Sequence, residues 1–327
     1  MTVTQKESDA FSEFLNEYDF FYVSGHKEPD GDSIASCLGI VEILKHKNKP
    51  YQLISCGPFK RSEIKVFEKY FSSEIDTTKL NNPKTALIQV DCSEIERVGA
   101  DFSDLLKSLP VFIIDHHKTA SADPEKSIVY PDSPAASYLV QQLYENLVGK
   151  PDEQLAKNLF FGLCTDTGFF RFLNSESQQV FEAAGRLVKQ GANPRLTYSE
   201  INSGKSFSTR KLLGLMLEKA EQYYDGKLIV TYETLEDTQK LGKNGRDSDS
   251  LYNLLLSVEG CEAVLFIRQD TSTTCTAGFR SKDDIDVSKI ASKFGGGGHK
   301  NASGLSTQGI LEELMPKIVK EFGSIFN

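Results

Sequence analysis

The chain has no CxxC pair. Its six cysteines, Cys37, Cys56, Cys92, Cys164, Cys261 and Cys275, are scattered, which argues against a zinc knuckle and against a disulfide framework. Most stand among apolar or small neighbours and read as reduced core residues. No apolar run approaches the roughly 20 residues that a membrane-spanning helix needs. The first residues, Met1-Thr2-Val3-Thr4-Gln5-Lys6-Glu7, lack a basic stretch leading into an apolar one, so no signal peptide is expected and the cytoplasm is the expected location. Positive charge is in short supply. Lys and Arg number 37 against 46 Asp and Glu, a net charge of −9, which argues against a long, non-specific grip on duplex nucleic acid. A phosphate-bearing substrate stays open, because a bound metal inverts the local field. Histidine is scarce too, with five in all. Four of them, His26, His116, His117 and His299, stand beside acids or glycines. His46 stands among lysines and reads as a surface residue.

What is present describes an α/β protein. With 327 residues, the chain exceeds what one core usually serves, so two domains are expected. Apolar content of 39% and charged content of 25% fit a globular protein. Short buried strands are expected at 20–24, 51–55, 86–90 and 111–114. Helical segments are expected at 8–18, 33–44, near 61–71, at 134–148 and 152–164, and over 176–221. Strands alternating with helices argue for a mostly parallel sheet flanked by helices. Composition shifts at Tyr223-Tyr224-Asp225-Gly226-Lys227. Beyond it, strands at 228–232, 261–269 and 273–280 and helices near 249–257, 286–293 and 309–326 suggest a smaller α/β domain, with 238–250 as a polar loop. The expected division is a catalytic domain over 1–204, a helical connector over 205–224 and a substrate-binding domain over 225–327.

Chemistry gathers where strands end. Val111-Phe112-Ile113-Ile114 runs straight into Asp115-His116-His117. The first strand leads into a Pro/Gly-marked loop carrying His26, Asp30 and Asp32, where Asp32 or Ser33 could cap the next helix. The third strand ends at Asp91, and the helix over 152–164 runs into Asp166, with Gly168 ending it. In open parallel sheets, ligands bind beyond the carboxyl ends of the strands. Any one of these acids could be a cap or turn residue. Four such clusters together are hard to explain as structure. Five carboxylates and three imidazoles in one pocket require cations, and this donor mix suits manganese, iron or cobalt better than calcium. Two metals about 3.5–4 Å apart form a clamp for in-line attack at phosphorus. Far along the chain, Gly295-Gly296-Gly297-Gly298 lets backbone N–H groups approach an anion, and His299 can add a donor. Arg280 and Arg171 are candidate phosphate or base contacts, set against plain surface arginines.

The order His-x-x-x-Asp-x-Asp (26–32), Val-Asp-Cys-Ser (90–93), Asp-His-His (115–117) and Thr-Asp-Thr-Gly (165–168) closely resembles the DHH phosphoesterase superfamily. The Gly-Gly-Gly-Gly-His run resembles its associated C-terminal domain. In length and motifs the chain is most similar to the stand-alone nanoRNases, pAp phosphatases and cyclic-dinucleotide phosphodiesterases. The resemblance implies that His26, Asp30 and Asp91 hold one metal and that Asp32, Asp91, His116 and Asp166 hold a second, with Asp91 bridging. It implies two manganese ions per site, a hydroxide between them as nucleophile, Asp115 orienting the histidine ligands, and His117 facing the phosphate to assist the leaving oxygen. Gly296, Gly297, Gly298 and His299 would bind the far end of a short nucleotide, between two domains that close on it. Implied substrates are short oligoribonucleotides, pAp, and linear or cyclic dinucleotides such as pApA or c-di-AMP. One departure is Ala120, where many relatives carry asparagine. A manganese-dependent pyrophosphatase is the rival enzyme, but the basic Ser-Arg-Lys-Lys motif of those proteins is missing. A processive DNA exonuclease would need further domains. A non-catalytic nucleotide sensor would be expected to lose metal ligands, and every such position is filled. Neither membrane nor long duplex nucleic acid is an expected partner, and a homodimer is left open.

Overall fold

Runs of aromatic and β-branched residues form a parallel sheet in the first half of the chain: β1 (Phe20–Ser24), β2 (Tyr51–Leu53), β3 (Thr85–Val90), β4 (Val111–Asp115) and β5 (Ser127–Val129). The structure is a computed structural model that describes residues 2–117, 122–282 and 284–326, at Asn244 by its backbone alone. The chain divides into two compact units, Met1–Gly204 and Lys205–Asn327. In the first unit the strand order is β2-β1-β3-β4-β5 and every pairing is parallel. All six residues of β3 are buried, as a strand covered on both faces should be. Strands β1, β3 and β4 are neighbours, so their carboxyl ends share one edge of the sheet. The short β5, which the sequence pattern does not announce, completes the sheet beyond β4.

Seven helices accompany this sheet: α1 (Gln5–Glu17), α2 (Gly31–His46), α3 (Ala100–Leu106), α4 (Ala136–Leu147), α5 (Glu153–Asp166), α6 (Gln178–Lys189) and α7 (Pro194–Asn202). The packing of α2 against α4 and α5 depends on missing side chains. A Cβ at Gly162 would lie 2.5 Å from the Ala35 Cβ and 2.8 Å from the Ser137 Oγ; one at Gly39 would lie 2.4 Å from a Val140 methyl. At the start of α2, a Cβ at Gly31 would meet Thr165 Oγ1 at 2.5 Å. These contacts bring the first turn of α2 against the last turn of α5. The expected helix near 61–71 is instead a 3₁₀ stretch, Lys65–Tyr70, with no side-chain cap at its start. Aromatic packing holds it: Phe67 against Phe161, with Phe71 against Phe59 just after it. All six cysteines are free thiols, and Cys56 alone of them is exposed. No described helix is long and apolar enough to cross a membrane.

The second unit is built on a six-stranded sheet of order β10-β11-β9-β8-β7-β6, from β6 (Glu221–Tyr223), β7 (Leu228–Glu233), β8 (Ala263–Gln269), β9 (Thr274–Ser281), β10 (Gly297–His299) and β11 (Ala302–Gln308). Only β7 and β8 run parallel. Helices α11 (Ser288–Lys293) and α12 (Leu311–Glu321), with the short α13 (Gly323–Phe326), cover one face; α8 (Phe207–Glu218) and α10 (Ser248–Leu256) cover part of the other. Thus α8, inside the expected connector, packs Leu212, Leu213 and Met216 into the second unit's core. A further helix, α9 (Leu235–Leu241), stands where a polar loop was expected. Its start is a capping box in which Thr234 and Asp237 serve each other's backbone, a signal present in the sequence as Thr-Leu-Glu-Asp.

Gly162→Val should lower stability toward denaturant by roughly 1–3 kcal/mol, the usual cost of overpacking. Gly185, in α6, has open space where its Cβ would stand. Gly185→Ala should therefore raise stability by up to about 1 kcal/mol. Chemical denaturation of the two variants checks both signs.

Candidate metal centre

The loop after β1 carries His26, and Asp30 is the N-cap of α2. Its Oδ1 accepts the main-chain N–H groups of Asp32 and Ser33, both at 3.1 Å. The cap is thus Asp30 rather than Asp32 or Ser33, because the helix begins two residues earlier than the expected 33, at Gly31. Capping with one oxygen leaves Oδ2 of Asp30 turned toward Nε2 of His26, 3.8 Å away. Asp91 follows β3 in a left-handed backbone conformation, φ +57°, one that asparagine and aspartate tolerate better than other side chains do. Gln89 supports the turn: it is buried in β3 and donates from Nε2 to the carbonyls of Cys92 at 2.9 Å and Glu94 at 3.2 Å. A lone amide inside an apolar strand was a readable signal of that support.

Asp91 faces two imidazoles with two different oxygens. Oδ2 lies 3.3 Å from Nε2 of His26, and Oδ1 lies 3.4 Å from Nε2 of His116. His116 Nε2 also lies 3.3 Å from Asp166 and 3.7 Å from Asp32. Each ring is fixed through its other nitrogen by a carbonyl, His26 by Lys27 at 2.8 Å and His116 by Ser133 at 3.1 Å. With Nδ1 donating to a carbonyl, each Nε2 presents a lone pair to carboxylate lone pairs. Such an array needs a proton or a metal ion between its members. Metal bonds of about 2.1 Å put neighbouring ligand atoms about 3 Å apart, close to these spacings. Three sets have ligand atoms within 4.8 Å of one another: His26, Asp30 and Asp91; Asp32, His116 and Asp166; and Asp91, His116 and His117. Among the described residues, no lysine or arginine pairs with any of these carboxylates. A second ring nitrogen held by a carbonyl is also the usual state of a metal-bound histidine.

Asp32 has a second task. It is wholly buried, and its two oxygens accept the main-chain N–H groups of Ala136 at 2.6 Å and Ser137 at 2.9 Å. It therefore caps α4, whose own N-cap residue, Ala135, offers no side-chain hydrogen bond. Asp115 was expected to orient the histidine ligands. It holds the His117 ring instead, accepting from Nδ1 at 2.7 Å, along with the Ser93 hydroxyl at 2.6 Å and the backbone N–H of His116 at 2.7 Å. Of the two neighbouring rings, the carboxylate takes that of His117, while the carbonyl of Ser133 takes that of His116. His117 points its other nitrogen away from Asp115, on a side chain 30% exposed. Ser93 stands in the Val-Asp-Cys-Ser stretch, but its partner Asp115 lies in a distant segment, and Ser133, whose carbonyl holds His116, stands in no motif.

The electrostatics follow from burial and crowding. Burial alone would lower the pKa of His116, but Asp91, Asp32 and Asp166 outweigh it and raise it to about 10. In His26 burial is likewise outweighed, here by Asp91 and Asp30, which raise it to about 8. Burial works to raise the pKa of Asp91, yet the two imidazoles pull it down to about 2. Burial and then Asp91 and Asp30 raise Asp166 to about 7 against the opposing pull of His116. Burial, then Asp91 and Asp166, also push Asp32 upward.

Of the remaining predicted site residues, Arg171 belongs to the first unit and the others to the second. Arg171 is exposed on the turn after α5, donating from Nε to the Gly168 carbonyl at 2.8 Å. Arg280 lies on β9 with its guanidinium 4.7 Å from the Tyr252 ring centre. Gly297, Gly298 and His299 form β10, an exposed edge strand paired with β11, and Gly296 precedes it. Two of the glycines are required by packing: a Cβ at Gly296 would lie 2.4 Å from the Gly304 carbonyl oxygen, and one at Gly298 2.7 Å from that of Ala302. Ala120 lies outside the described residues.

Comparison with known proteins yields matches over both units. The DHH family N-terminal domain matches residues 21–165, and the DHHA1 domain matches residues 225–327. The bifunctional oligoribonuclease and PAP phosphatase NrnA of Thermus thermophilus is 29% identical over 304 residues, covering 91% of this chain and 88% of that protein. The cyclic-di-AMP phosphodiesterase PdeA of Listeria monocytogenes is 28% identical over 314 residues, covering 89% of this chain and 45% of that protein. Among solved structures, an exopolyphosphatase-related protein from Bacteroides fragilis is similar with TM-score 0.88 at 24% identity, over 99% of this chain and 98% of that one. That last likeness speaks for the fold alone.

Asp32 and Asp166 should separate in metal-free protein. Asp32→Ala removes both acceptors that cap α4 and should cost about 1–2 kcal/mol. Asp166 has a folded-state pKa above its unfolded value, so its charge disfavours the fold increasingly as the pH rises from about 4 through about 7. Asp166→Asn should therefore leave the melting temperature in EDTA at pH 8 unchanged or higher. A lower one would contradict this account of the cluster.

Proposed function

The chain belongs to the DHH family, and on that premise we propose that it is a metal-dependent phosphoesterase acting on short nucleotides: nanoRNA, pAp, or linear and cyclic dinucleotides such as pApA and c-di-AMP. The observation that carries this reading is the two-sided engagement of Asp91, whose oxygens each face the imidazole of a separate ligand set. His26, Asp30 and Asp91 would hold one divalent ion, and Asp32, Asp91, His116 and Asp166 the other. When bound, the two ions, manganese by preference, would supply a water ionised near neutral pH and charge compensation on the phosphoryl oxygens. Asp115 fixes the tautomer of His117 by accepting its Nδ1 proton. With a second proton on its outward nitrogen, the ring would donate to a phosphate oxygen and pass that proton to the departing alcohol oxygen. Selection of nucleotides is assigned to the second unit, through His299, the strand that carries it, and Arg280. Arg171 serves as a lesser contact. Support for the substrate class comes from the relatives, named for oligoribonuclease, PAP phosphatase and cyclic-di-AMP phosphodiesterase activity.

The test is a side-by-side rate comparison on pAp, pApA, c-di-AMP and a 5-mer RNA with manganese. Cleavage of at least one, abolished by EDTA, is expected. Asp91→Ala should lose on the order of a thousandfold or more in kcat/KM, since both ions lose a ligand; near-normal manganese-dependent cleavage by this variant would sink the bridging assignment. His117→Ala should lose about a hundredfold in kcat with bound metal unchanged. Loss of metal instead would make His117 a ligand.

A further inference from the structure

The sheet face that α8 and α10 partly cover in the second unit continues beyond Tyr252 of α10 onto β9, β11 and β10. Strand register aligns Gly278 of β9 with Gly304 of β11, and Gly304 with Gly297 of β10. Three glycines thus stand side by side across three neighbouring strands and leave a groove floored by backbone. The adjacent row on the same face is Arg280, Ala302 and His299, again in register. Arg280 and His299 are therefore two strand spacings apart, about 10 Å. On the other side of Gly278 the row continues to Phe266 of β8, which packs with Tyr252 of α10. The burial pattern of β9 alternates strictly, with Thr276, Gly278 and Arg280 half-buried on the groove side.

Tyr252 controls one end of this groove. It is 6% exposed, and a Cβ at Gly278 would stand 2.1 Å from its hydroxyl oxygen, so the hydroxyl lies directly over that glycine. No described residue hydrogen-bonds this hydroxyl. The Arg280 guanidinium lies 4.7 Å from the centre of the same ring, and its NH1 donates to the Phe279 carbonyl at 2.9 Å. A planar cation held against an aromatic face and by a carbonyl keeps one orientation, with its remaining donors available along the groove rim. A flat, floor-like strip of backbone suits a nucleobase or ribose, and a fixed guanidinium suits a phosphate.

We propose that Tyr252 is a positioning residue for nucleotide binding: its ring holds Arg280 at the edge of the Gly278–Gly304–Gly297 groove, in the orientation that receives the substrate's phosphate. This rests on the nucleotide reading above and adds to it a residue with no metal or motif role. The same ring closes the end of the groove, so the site takes a nucleotide from the open, β10 side.

The test is equilibrium binding of pApA to the full-length protein in EDTA, where no turnover occurs, paired with manganese-dependent turnover. Tyr252→Leu should weaken pApA binding and raise KM on the order of tenfold with kcat within about twofold, the scale of a lost cation–π contact. Tyr252→Phe, which keeps the ring, should recover most of that loss. In an Arg280→Ala background, Tyr252→Leu should add nothing further, because both substitutions remove one device. Should Tyr252→Leu fail to fold, Arg280→Lys replaces it, keeping the charge but not the plane, and should weaken binding by a similar factor. Additive losses, a kcat effect without a KM effect, an Arg280→Lys of wild-type affinity, or a Tyr252→Phe as weak as Tyr252→Leu each overturns the proposal. Wild-type binding without hydrolysis of any nucleotide would overturn the enzymatic reading and leave this one standing. Failure of the wild type to bind pApA overturns this proposal, while the enzymatic reading falls only if none of the four substrates is cleaved.

Discussion

Four carboxylates converge on the edge of the first sheet, no lysine or arginine among the described residues pairs with them, and the fold has to live with that charge. The distances place acceptor against acceptor: Nε2 of His26 and His116 against the oxygens of Asp30, Asp32, Asp91 and Asp166. Without metal, protons compensate, on the imidazoles and on Asp32 and Asp166, and the raised pKa values of all four are the sign of it. With divalent ions, the same lone pairs become ligands. The cluster is thus built for a cation, and the rest of the first unit is the frame that forces the acids together.

That frame is mostly an arrangement of small residues. The glycines at 31, 39 and 162 let α2 lie against α4 and α5 closely enough for the start of one helix to meet the end of another. Parallel strand order does the rest, setting β1, β3 and β4 side by side. The site therefore draws on helix packing and strand order together, and a change in either would pull one acid away from the others.

Much of this was legible in the sequence because apolar runs broke abruptly into acids and histidines, and because Pro29, Gly31 and Gly168 marked the loops between. The eight strand-end residues were readable for that reason. What was not readable came from long-range partners. The carbonyl of Ser133 that fixes His116, the backbone of α4 that seizes Asp32, and the left-handed turn at Asp91 exist only once the chain is folded. The segment at 61–71 has helical charge spacing but no side-chain cap, and aromatic contacts shaped it instead. The glycine row in the second unit needed strand register, which a sequence does not print. The helix at 235–241, by contrast, was announced by its capping box and passed over for its polarity.

Asp32 serves two masters, and this changes what an acid at each position testifies to. A descendant of this fold that had given up hydrolysis would still be held to an aspartate at 32, because α4 has no other cap. Nothing in the described backbone holds one at 166 apart from the need for a cation. Position 166 would be the first to drift once chemistry was no longer selected, and position 32 among the last. An aspartate at 166 in a sequence of this kind is accordingly the better witness to a working centre, and one at 32 chiefly a witness to the fold.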